Sequence, residues 1–329
     1  MGGTGILATG SYVPERIVTG ADIAGPAGVT PEWIERKTQI AARRYAAPDQ
    51  ATSDLAAEAA ARTLRQAGLP ASALRYLIVS TSTPDSPQPP TSHLVQDALG
   101  AHGAACFDIN VVCSGFVYGL ALARALVAQE PGAYALVVAA DVYSRILDPT
   151  DRRTVVLFGD GAGAALVGAV PEGGFVDVEL TGHGHAHGLI GVEAGGSRHP
   201  ATHDTVENGG HFFRMKGRAV RDFAVEHVPG AVRTLVERTG HRLADVDHFV
   251  PHQANGVLLG ELVTLAGLDH AHTHRTLERY GNTGSASVAL ALDEAHRGGH
   301  LRAGDLVLLA GFGGGMSLGA ALLRWTATG

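Results

Sequence analysis

Short apolar runs of strand length alternate with helical runs through most of the chain. The apolar runs predict buried strands at residues 6–12, 77–81, 104–112 and 135–140. Four segments have helical character, at residues 31–38, 54–67, 91–99 and 114–129. Thr52 or Ser53 could cap the second of these helices. This alternation predicts an α/β protein.

Glycine interrupts two further apolar stretches. Residues 155–167 predict a strand broken by glycines. Residues 306–323 carry no charge and approach the length of a membrane-spanning helix. Five glycines make a stable helix improbable there: Gly311, Gly313, Gly314, Gly315 and Gly319. The stretch therefore predicts a strand, a turn and a second strand, and no membrane span.

The second half of the sequence repeats features of the first. Arg62-Thr-Leu recurs 171 residues later at Arg233, and Phe158-Gly-Asp-Gly resembles Phe312-Gly-Gly-Gly. We therefore predict two duplicated α/β halves, residues 1–170 and 171–329, with a boundary in the irregular segment 168–175. A functional site is expected between the halves.

Composition excludes several classes of function. The 329-residue chain has a net charge of −7 and no long basic tract, which argues against general nucleic-acid binding. Its two cysteines, Cys106 and Cys113, make a disulfide framework improbable and favour a reducing cytoplasm. The first residues also lack the layout of a signal peptide.

Cys113 is the strongest candidate for chemistry. It stands where a predicted strand meets a predicted helix, and the positive end of a helix dipole favours the thiolate. A buried structural cysteine is the alternative. The duplication places Asn282 at the equivalent position of the second half, and His252 ends a strand that echoes residues 77–80. The three side chains offer a nucleophile, a proton carrier and a hydrogen-bond donor.

Six motifs in order resemble the β-ketoacyl-acyl-carrier-protein synthase III family of the thiolase-like superfamily, over nearly the full length. They are Asp108-Ile-Asn with Cys113-Ser-Gly-Phe, Asp148-Pro-Thr-Asp-Arg152, Phe158-Gly-Asp-Gly-Ala-Gly-Ala, Pro251-His-Gln-Ala-Asn255, Tyr280-Gly-Asn282-Thr and Gly311-Phe-Gly-Gly-Gly. The resemblance implies a five-layered αβαβα fold, a homodimer, and Cys113, His252 and Asn282 as catalytic triad.

The resemblance also implies a reaction and its ligands. Cys113 would take an acyl group from acyl-CoA and condense it with malonyl-acyl-carrier protein, priming fatty acid or polyketide synthesis without a cofactor or metal. Backbone N–H groups of Cys113 and Gly314 would form the oxyanion hole. The implied substrate-binding positions are Trp33, Lys37, Arg152, Asn255 and Gln88.

Departures from the family pattern bear on specificity. Val257 and Asp222 stand where relatives are often basic, and Gln88 replaces a bulky apolar residue that reaches the acyl pocket across the dimer. Gly284 replaces a serine or alanine. Four basic residues could serve an acidic carrier protein or form a solvated charged face: Arg214, Lys216, Arg218 and Arg221.

Three other functions remain open at this point. Some relatives pass the cysteine-bound acyl group to an alcohol or a carrier without decarboxylation. The chain has 17 histidines, and the alternating runs at 183–187 and 270–274 could bind zinc if extended. A non-catalytic partner subunit is the third alternative. Retention of both His252 and Asn282 favours condensation.

Overall fold

The computed structural model describes residues 3–327, so the extreme residues of the two predicted halves lie outside the described part. Its strands are β1 (Gly3–Tyr12), β2 (Arg16–Thr19), β3 (Ala42–Tyr45), β4 (Leu74–Ser80), β5 (Ala105–Ile109), β6 (Tyr134–Asp141), β7 (Gly161–Val170), β8 (Gly174–Gly182), β9 (Ile190–Val192), β10 (Phe213–Met215), β11 (His248–Pro251), β12 (His272–Thr273), β13 (Leu306–Gly313) and β14 (Ser317–Arg324). Its α-helices are α1 (Gly20–Ala24), α2 (Pro31–Thr38), α3 (Thr52–Ala67), α4 (Thr91–Leu99), α5 (Gly115–Gln129), α6 (His203–Glu207), α7 (Gly217–Arg238), α8 (Gly256–Ala266), α9 (Leu277–Tyr280) and α10 (Ala286–Arg297).

Two five-stranded sheets share one topology. The first has the order β1-β7-β6-β4-β5, and the second has the order β8-β14-β13-β11-β12. In each order, the first two neighbouring pairs of strands are antiparallel and the last two pairs are parallel. Residues 171–173 connect β7 to β8, inside the predicted boundary segment.

The helices and sheets form five layers. Helices α5 and α10 lie between the sheets, where Phe116, Leu120 and Leu292 join one core with strands of both sheets. Helix α3 packs outside the first sheet through Leu55, and α7 packs outside the second through Leu235. The αβαβα fold predicted from the sequence is confirmed.

Local boundaries differ from the sequence predictions at two places. Residues 155–157 form a turn and Phe158 makes an isolated bridge with Asn282, so β7 begins only at Gly161. Main-chain groups of residues 155–160 bond to Asp151, Arg44 and Asn282 instead of to a neighbouring strand. The N-cap of α3 is Ala51, whose N–H donates to the Asp54 carboxylate over 2.8 Å. The two predicted caps instead bond a loop, Thr52 to Thr83 and Ser53 to Asp85.

The charge-free stretch 306–323 forms the antiparallel hairpin of β13 and β14, as predicted. A different stretch, Val112–Gln129, is long and apolar enough to cross a membrane by length and composition. Half of that stretch is buried inside the protein, and its helix α5 is the layer between the two sheets. Its apolar composition is therefore explained by the core.

Candidate active site

A tight turn presents Cys113 at the start of α5. Strand β5 ends at Ile109, and a 3₁₀ turn, Val112–Ser114, leads into the helix. Val112 has a φ of 48°, a left-handed conformation that costs energy for a β-branched residue. A Cβ on Gly313 would lie 2.7 Å from the Cys113 nitrogen, so only glycine lets β13 approach the turn this closely.

The surroundings of Cys113 oppose ionisation of its thiol. The side chain is buried, and this burial, with the nearby negative charge of Asp141, raises the pKa of Cys113 above its ordinary value. The helix position led us to expect a thiolate. Because desolvation dominates, that expectation was wrong, and the thiol is the resting form.

His252 follows β11 and is a neutral imidazole. Burial lowers the pKa of His252 to about 3, so the ring carries no charge at neutral pH. Its Nδ1 lies 2.6 Å from the Ser287 hydroxyl oxygen, and its ring meets Phe312 edge-on. When that hydroxyl donates to Nδ1, Nε2 carries the proton and is free to donate into the cavity.

Asn282 is fixed by the first half of the chain. Its N–H donates to Leu157 O, and its carbonyl accepts from the Gly159 N–H. Its side-chain oxygen accepts from the Gly284 N–H over 3.0 Å. Because the amide oxygen is engaged, the amide NH₂ remains as the group that donates to a ligand.

One cavity of about 540 Å³ brings the predicted site together. Seven predicted residues line it: Cys113, His252, Asn282, Trp33, Lys37, Arg152 and Asn255. Gly314 instead lines a neighbouring cavity of about 390 Å³, and its role in the oxyanion hole stays a prediction. Gln88 is exposed and lines neither cavity, and its predicted contact across a dimer stays a prediction.

The mouth of the cavity carries the groups predicted to hold CoA. The Arg152 guanidinium carbon lies 6.0 Å from the centre of the Trp33 ring. The Asn255 side chain donates to Lys37 O and accepts from the Val257 N–H, so it ties α2 to the start of α8. These contacts indicate that Asn255 holds the main chain of α2 at Lys37, although it also lines the cavity.

Ion pairs offset part of the basic character near the mouth. Arg214 lies 2.9 Å from Asp148, and Arg221 pairs with both Asp222 and Glu261. Among residues 3–327, Lys216 and Arg218 form no ion pair. Val257, which replaces a basic residue of the family, is 49% exposed.

Sequence reasoning missed two buried polar residues behind the site. Ser287, on α10, sets the hydrogen bond of His252. Asp141 ends β6 and accepts hydrogen bonds from Thr81, Ser82 and the Ser285 N–H. A single carboxylate directly after six apolar residues was the available signal for Asp141, whereas nothing in the local sequence distinguished Ser287 from its neighbours.

Neither histidine run is extended over its full length, as zinc binding by alternating histidines required, although β12 covers His272–Thr273. Residues 184–189 form a 3₁₀ turn, and the His183 ring packs 4.5 Å from His227. His272 and His274 contact each other, but His270 turns away to Leu243 O. Within residues 3–327, three ligating side chains approach within 4.8 Å of one another only at an exposed group: His203, Asp204 and Glu207.

Comparison with known proteins agrees with this fold and site. The family described as 3-oxoacyl-[acyl-carrier-protein] synthase III matches residues 107–184, and its C-terminal domain matches residues 236–325. The chain is 52% identical to the acetoacetyl CoA synthase NphT7 of Streptomyces sp. (strain CL190), with 97% of this chain and 98% of the relative covered. It is 45% identical to a beta-ketoacyl-[acyl-carrier-protein] synthase III of Caldanaerobacter subterraneus, with 98% of each covered.

A solved structure gives the same result. The priming β-ketosynthase from the R1128 polyketide biosynthetic pathway superposes with a TM-score of 0.91 at 35% identity, covering 99% of this chain and 97% of that one. The fold and the cavity thus define a thiolase-like condensing enzyme. The chain belongs to the 3-oxoacyl-[acyl-carrier-protein] synthase III family. The predicted family and the predicted condensing, acyl-transferring activity are confirmed.

Proposed function

We propose that the enzyme loads an acyl group from acyl-CoA onto Cys113 and condenses it with a malonyl thioester. The observation that carries this proposal is the set of three side chains on one cavity wall: a thiol, a neutral imidazole and a primary amide. No cofactor or metal takes part in this scheme. The reaction primes fatty acid or polyketide synthesis.

Acylation begins at the Cys113 sulfur. The thiol gives up its proton, the sulfur attacks the acyl-CoA carbonyl, and the carbon–sulfur bond to CoA breaks. CoA takes up a proton and leaves as a thiol. The proton lost by the Cys113 thiol ends on the CoA sulfur, and His252, which lies on the same cavity as a neutral ring, keeps its own proton on Nε2.

Decarboxylation follows once a malonyl thioester occupies the cavity. The bond to the carboxylate breaks, carbon dioxide leaves, and the electron pair forms an enolate whose oxygen accepts from His252 Nε2–H and the Asn282 amide. The enolate carbon then attacks the acyl carbonyl on Cys113. The carbon–sulfur bond breaks, the 3-oxoacyl thioester is released, and the sulfur regains its proton.

The carrier of the malonyl group has two candidates. Acyl carrier protein is the partner implied by the family, and exposed Lys216 and Arg218 are available to meet its acidic surface. Malonyl-CoA is the second candidate. It is favoured by the ion pairs of Arg214 and Arg221, by exposed Val257, and by the 52% identity to a relative named acetoacetyl CoA synthase.

Matched extender assays test the proposal. With acetyl-CoA as primer, we expect carbon dioxide and a 3-oxoacyl product from malonyl-acyl-carrier protein or malonyl-CoA, and the preferred carrier has the higher kcat/KM. Lys216→Ala, which lies outside the lining of the active-site cavity, should lower kcat/KM only for the carrier protein. Rapid acylation of Cys113 without release of carbon dioxide would contradict condensation and would indicate simple acyl transfer instead.

Assembly and location form part of the same proposal. We expect a homodimer, because the family implies one and because exposed Gln88 lies outside the cavity of its own chain. Light scattering of the purified protein tests this. Both cysteines are free, which fits a cytoplasmic enzyme. Fractionation of cells expressing the tagged protein tests the location.

A further inference from the structure

Four histidine side chains meet at the outer edge of the second sheet. His248 on β11 and His272 on the edge strand β12 are register partners. The His274 N–H donates to Phe249 O, so the pairing of the two segments continues past β12. Because alternate residues of an extended segment share a face, His272 and His274 lie on the same side, beside His248. His300, in the loop between α10 and β13, completes the histidine cluster.

The rings of the histidine cluster surround a small cavity. Ring centroids lie 4.5 Å apart for His272 and His274, 5.2 Å for His248 and His274, and 5.6 Å for His272 and His300. His272, His274 and His300 line a cavity of about 190 Å³, which shares no lining residue with the active-site cavity. The cluster is therefore separate from the residues of the condensation chemistry.

His248 has the surroundings of a metal ligand. Its Nε2 lies 3.1 Å from the Asp305 carboxylate, and its Nδ1 lies 3.1 Å from His274 Nε2. When Nε2 donates to the carboxylate, Nδ1 presents a lone pair toward His274. Histidines that bind metals are usually oriented by such a carboxylate at their second ring nitrogen. In a tetrahedral zinc site two ligand nitrogens lie about 3.3 Å apart, which is close to the separation of these two atoms.

The charges around the histidine cluster do not oppose a cation. Arg275 and Arg279 line the cavity, but Arg275 lies 2.7 Å from Glu278, and Arg279 pairs with Glu294. With Asp305 included, this set contains three carboxylates and two guanidinium groups. Its net field therefore favours a divalent cation.

We propose that the histidine cluster binds one divalent transition-metal ion through its imidazole nitrogens, as a zinc site does. No three of its side chains place ring nitrogens within 4.8 Å of one another, so binding requires a rearrangement. The His274 ring proton moves from Nε2 to Nδ1, which leaves lone pairs on the two facing nitrogens. His272 and His300 are exposed, so their rings can turn toward the ion. The bound ion ties β11, β12 and the loop before β13 together.

Titration with Co²⁺, a coloured substitute for Zn²⁺, tests the site in the full chain carrying Cys113→Ala, which removes the active-site thiol as a competing ligand. We expect the visible absorption of nitrogen-bound Co²⁺ to saturate at one ion per chain and to disappear when Zn²⁺ displaces the cobalt. Adding His272→Asn/His300→Asn should weaken binding at least about tenfold. Adding Asp305→Asn, which removes the carboxylate behind His248, should weaken it by roughly 10- to 100-fold.

The matched control removes two ligating side chains of the exposed group at residues 203–207. His203→Asn/Glu207→Gln should leave the cobalt absorption unchanged. Loss of binding in this control, or full binding in His272→Asn/His300→Asn, would overturn the site. Absence of any saturable Co²⁺ or Zn²⁺ binding to Cys113→Ala would overturn it as well, and that result needs no further variant to fold.

Thermal unfolding tests the link between the strands without a coloured ion. Zn²⁺ at about a hundredfold excess over its Kd should raise the melting temperature of Cys113→Ala, because an ion that binds only the folded state stabilises it. The increase should be lost when His272→Asn/His300→Asn is added. An equal increase in both proteins would place the ion elsewhere and contradict the site. Failure of the proposed condensation would leave all of these outcomes unchanged.

Discussion

His252 Nδ1 lies 2.6 Å from Ser287 Oγ, and both side chains are buried. The same hydroxyl oxygen lies 3.4 Å from the Gln253 N–H, which donates to it. An oxygen that already accepts a hydrogen bond can give its own proton to Nδ1, and when it does so the remaining ring proton lies on Nε2. Ser287 thereby prepares His252 as a hydrogen-bond donor to the enolate.

Ser287→Ala should impair decarboxylation more than acylation. Without the hydroxyl, His252 no longer has its tautomer fixed, so the Nε2 donor is present for only part of the time. We expect a loss in kcat for carbon dioxide release below the roughly 10²- to 10³-fold caused by deleting such a donor. Acylation of Cys113 by acetyl-CoA, followed by mass spectrometry, should stay close to the wild-type rate.

Ser285→Ala is the matched control for this change. The Ser285 hydroxyl bonds Ser80 O and does not contact His252. Ser287→Thr keeps a hydroxyl and should recover part of the activity. Equal impairment of both half-reactions in Ser287→Ala would indicate a structural role and contradict the tautomer argument.

Trp33→Ala should weaken binding of acyl-CoA without slowing the chemistry. The Trp33 ring and the Arg152 guanidinium lie beside each other in the lining of the cavity. Loss of stacking with a base costs roughly 1–3 kcal/mol, so we expect KM to rise at constant kcat. An acyl thioester of N-acetylcysteamine lacks the adenine, and its KM should not change. A similar rise for that substrate would contradict stacking on the nucleotide.

Alkylation of Cys113 should remain slow at neutral pH and rise steeply with pH. Burial and Asp141 raise the pKa of this thiol above 9.0, so the thiolate is the minor form below that pH. We expect the rate with iodoacetamide, measured in a Cys106→Ser background, to rise roughly tenfold per pH unit between pH 6 and 9. An alkylation rate that stops rising near pH 7 would show that the helix dipole, and not burial, sets the pKa of Cys113.

Acidification should destabilise the protein through its buried histidines. Burial and the adjacent His272, His248 and His300 lower the pKa of His274 to about 3 from an ordinary 6.5. Between these values the unfolded chain binds the proton and the folded chain does not. Stability is therefore complete above pH 6.5 and is lost, at up to about 1.4 kcal/mol per pH unit, as pH falls toward 3.

His274→Asn should reduce this dependence, and urea unfolding at pH 7 and pH 5 measures it. The variant should lose less unfolding free energy than the wild type between the two values. His270→Asn is the control, because this histidine belongs to the same sequence run but is exposed. An identical pH dependence of the unfolding free energy in wild type and His274→Asn would show that His274 does not cause the loss of stability at low pH.

Much of the site could be predicted from the sequence because duplication carries geometric information. Equivalent elements of two related halves end at one interface, so the offset that relates the halves placed Asn282 opposite Cys113. The glycine run after Phe312 likewise predicted the β13–β14 hairpin, which approaches the cysteine turn through Gly313. These features depend on backbone position, which sequence patterns report well.

Side-chain environments could not be predicted in the same way. The pKa of Cys113 depends on burial and on Asp141, a residue 28 positions away. The hydrogen bond between His252 and Ser287 joins the end of β11 to α10. The close approach of Gly284 to Tyr143 appears only when the turn before α10 and the turn after β6 are placed side by side. The substitution at 284 was visible, but its reason was not.

Decarboxylative condensation requires that carbon dioxide release be coupled to the loss of the acyl group from Cys113, and one experiment measures both. Enzyme pre-acylated with acetyl-CoA would receive malonyl thioester labelled in its free carboxyl group, and gas, acyl-enzyme and product would be quantified together. We expect equal amounts of carbon dioxide released, acetyl group lost from Cys113 and 3-oxobutanoyl thioester formed. In Cys113→Ala, acetylation and product should both be absent. Product formed in that variant, or acetyl transfer from wild-type Cys113 without carbon dioxide, would contradict decarboxylative condensation through acyl-Cys113.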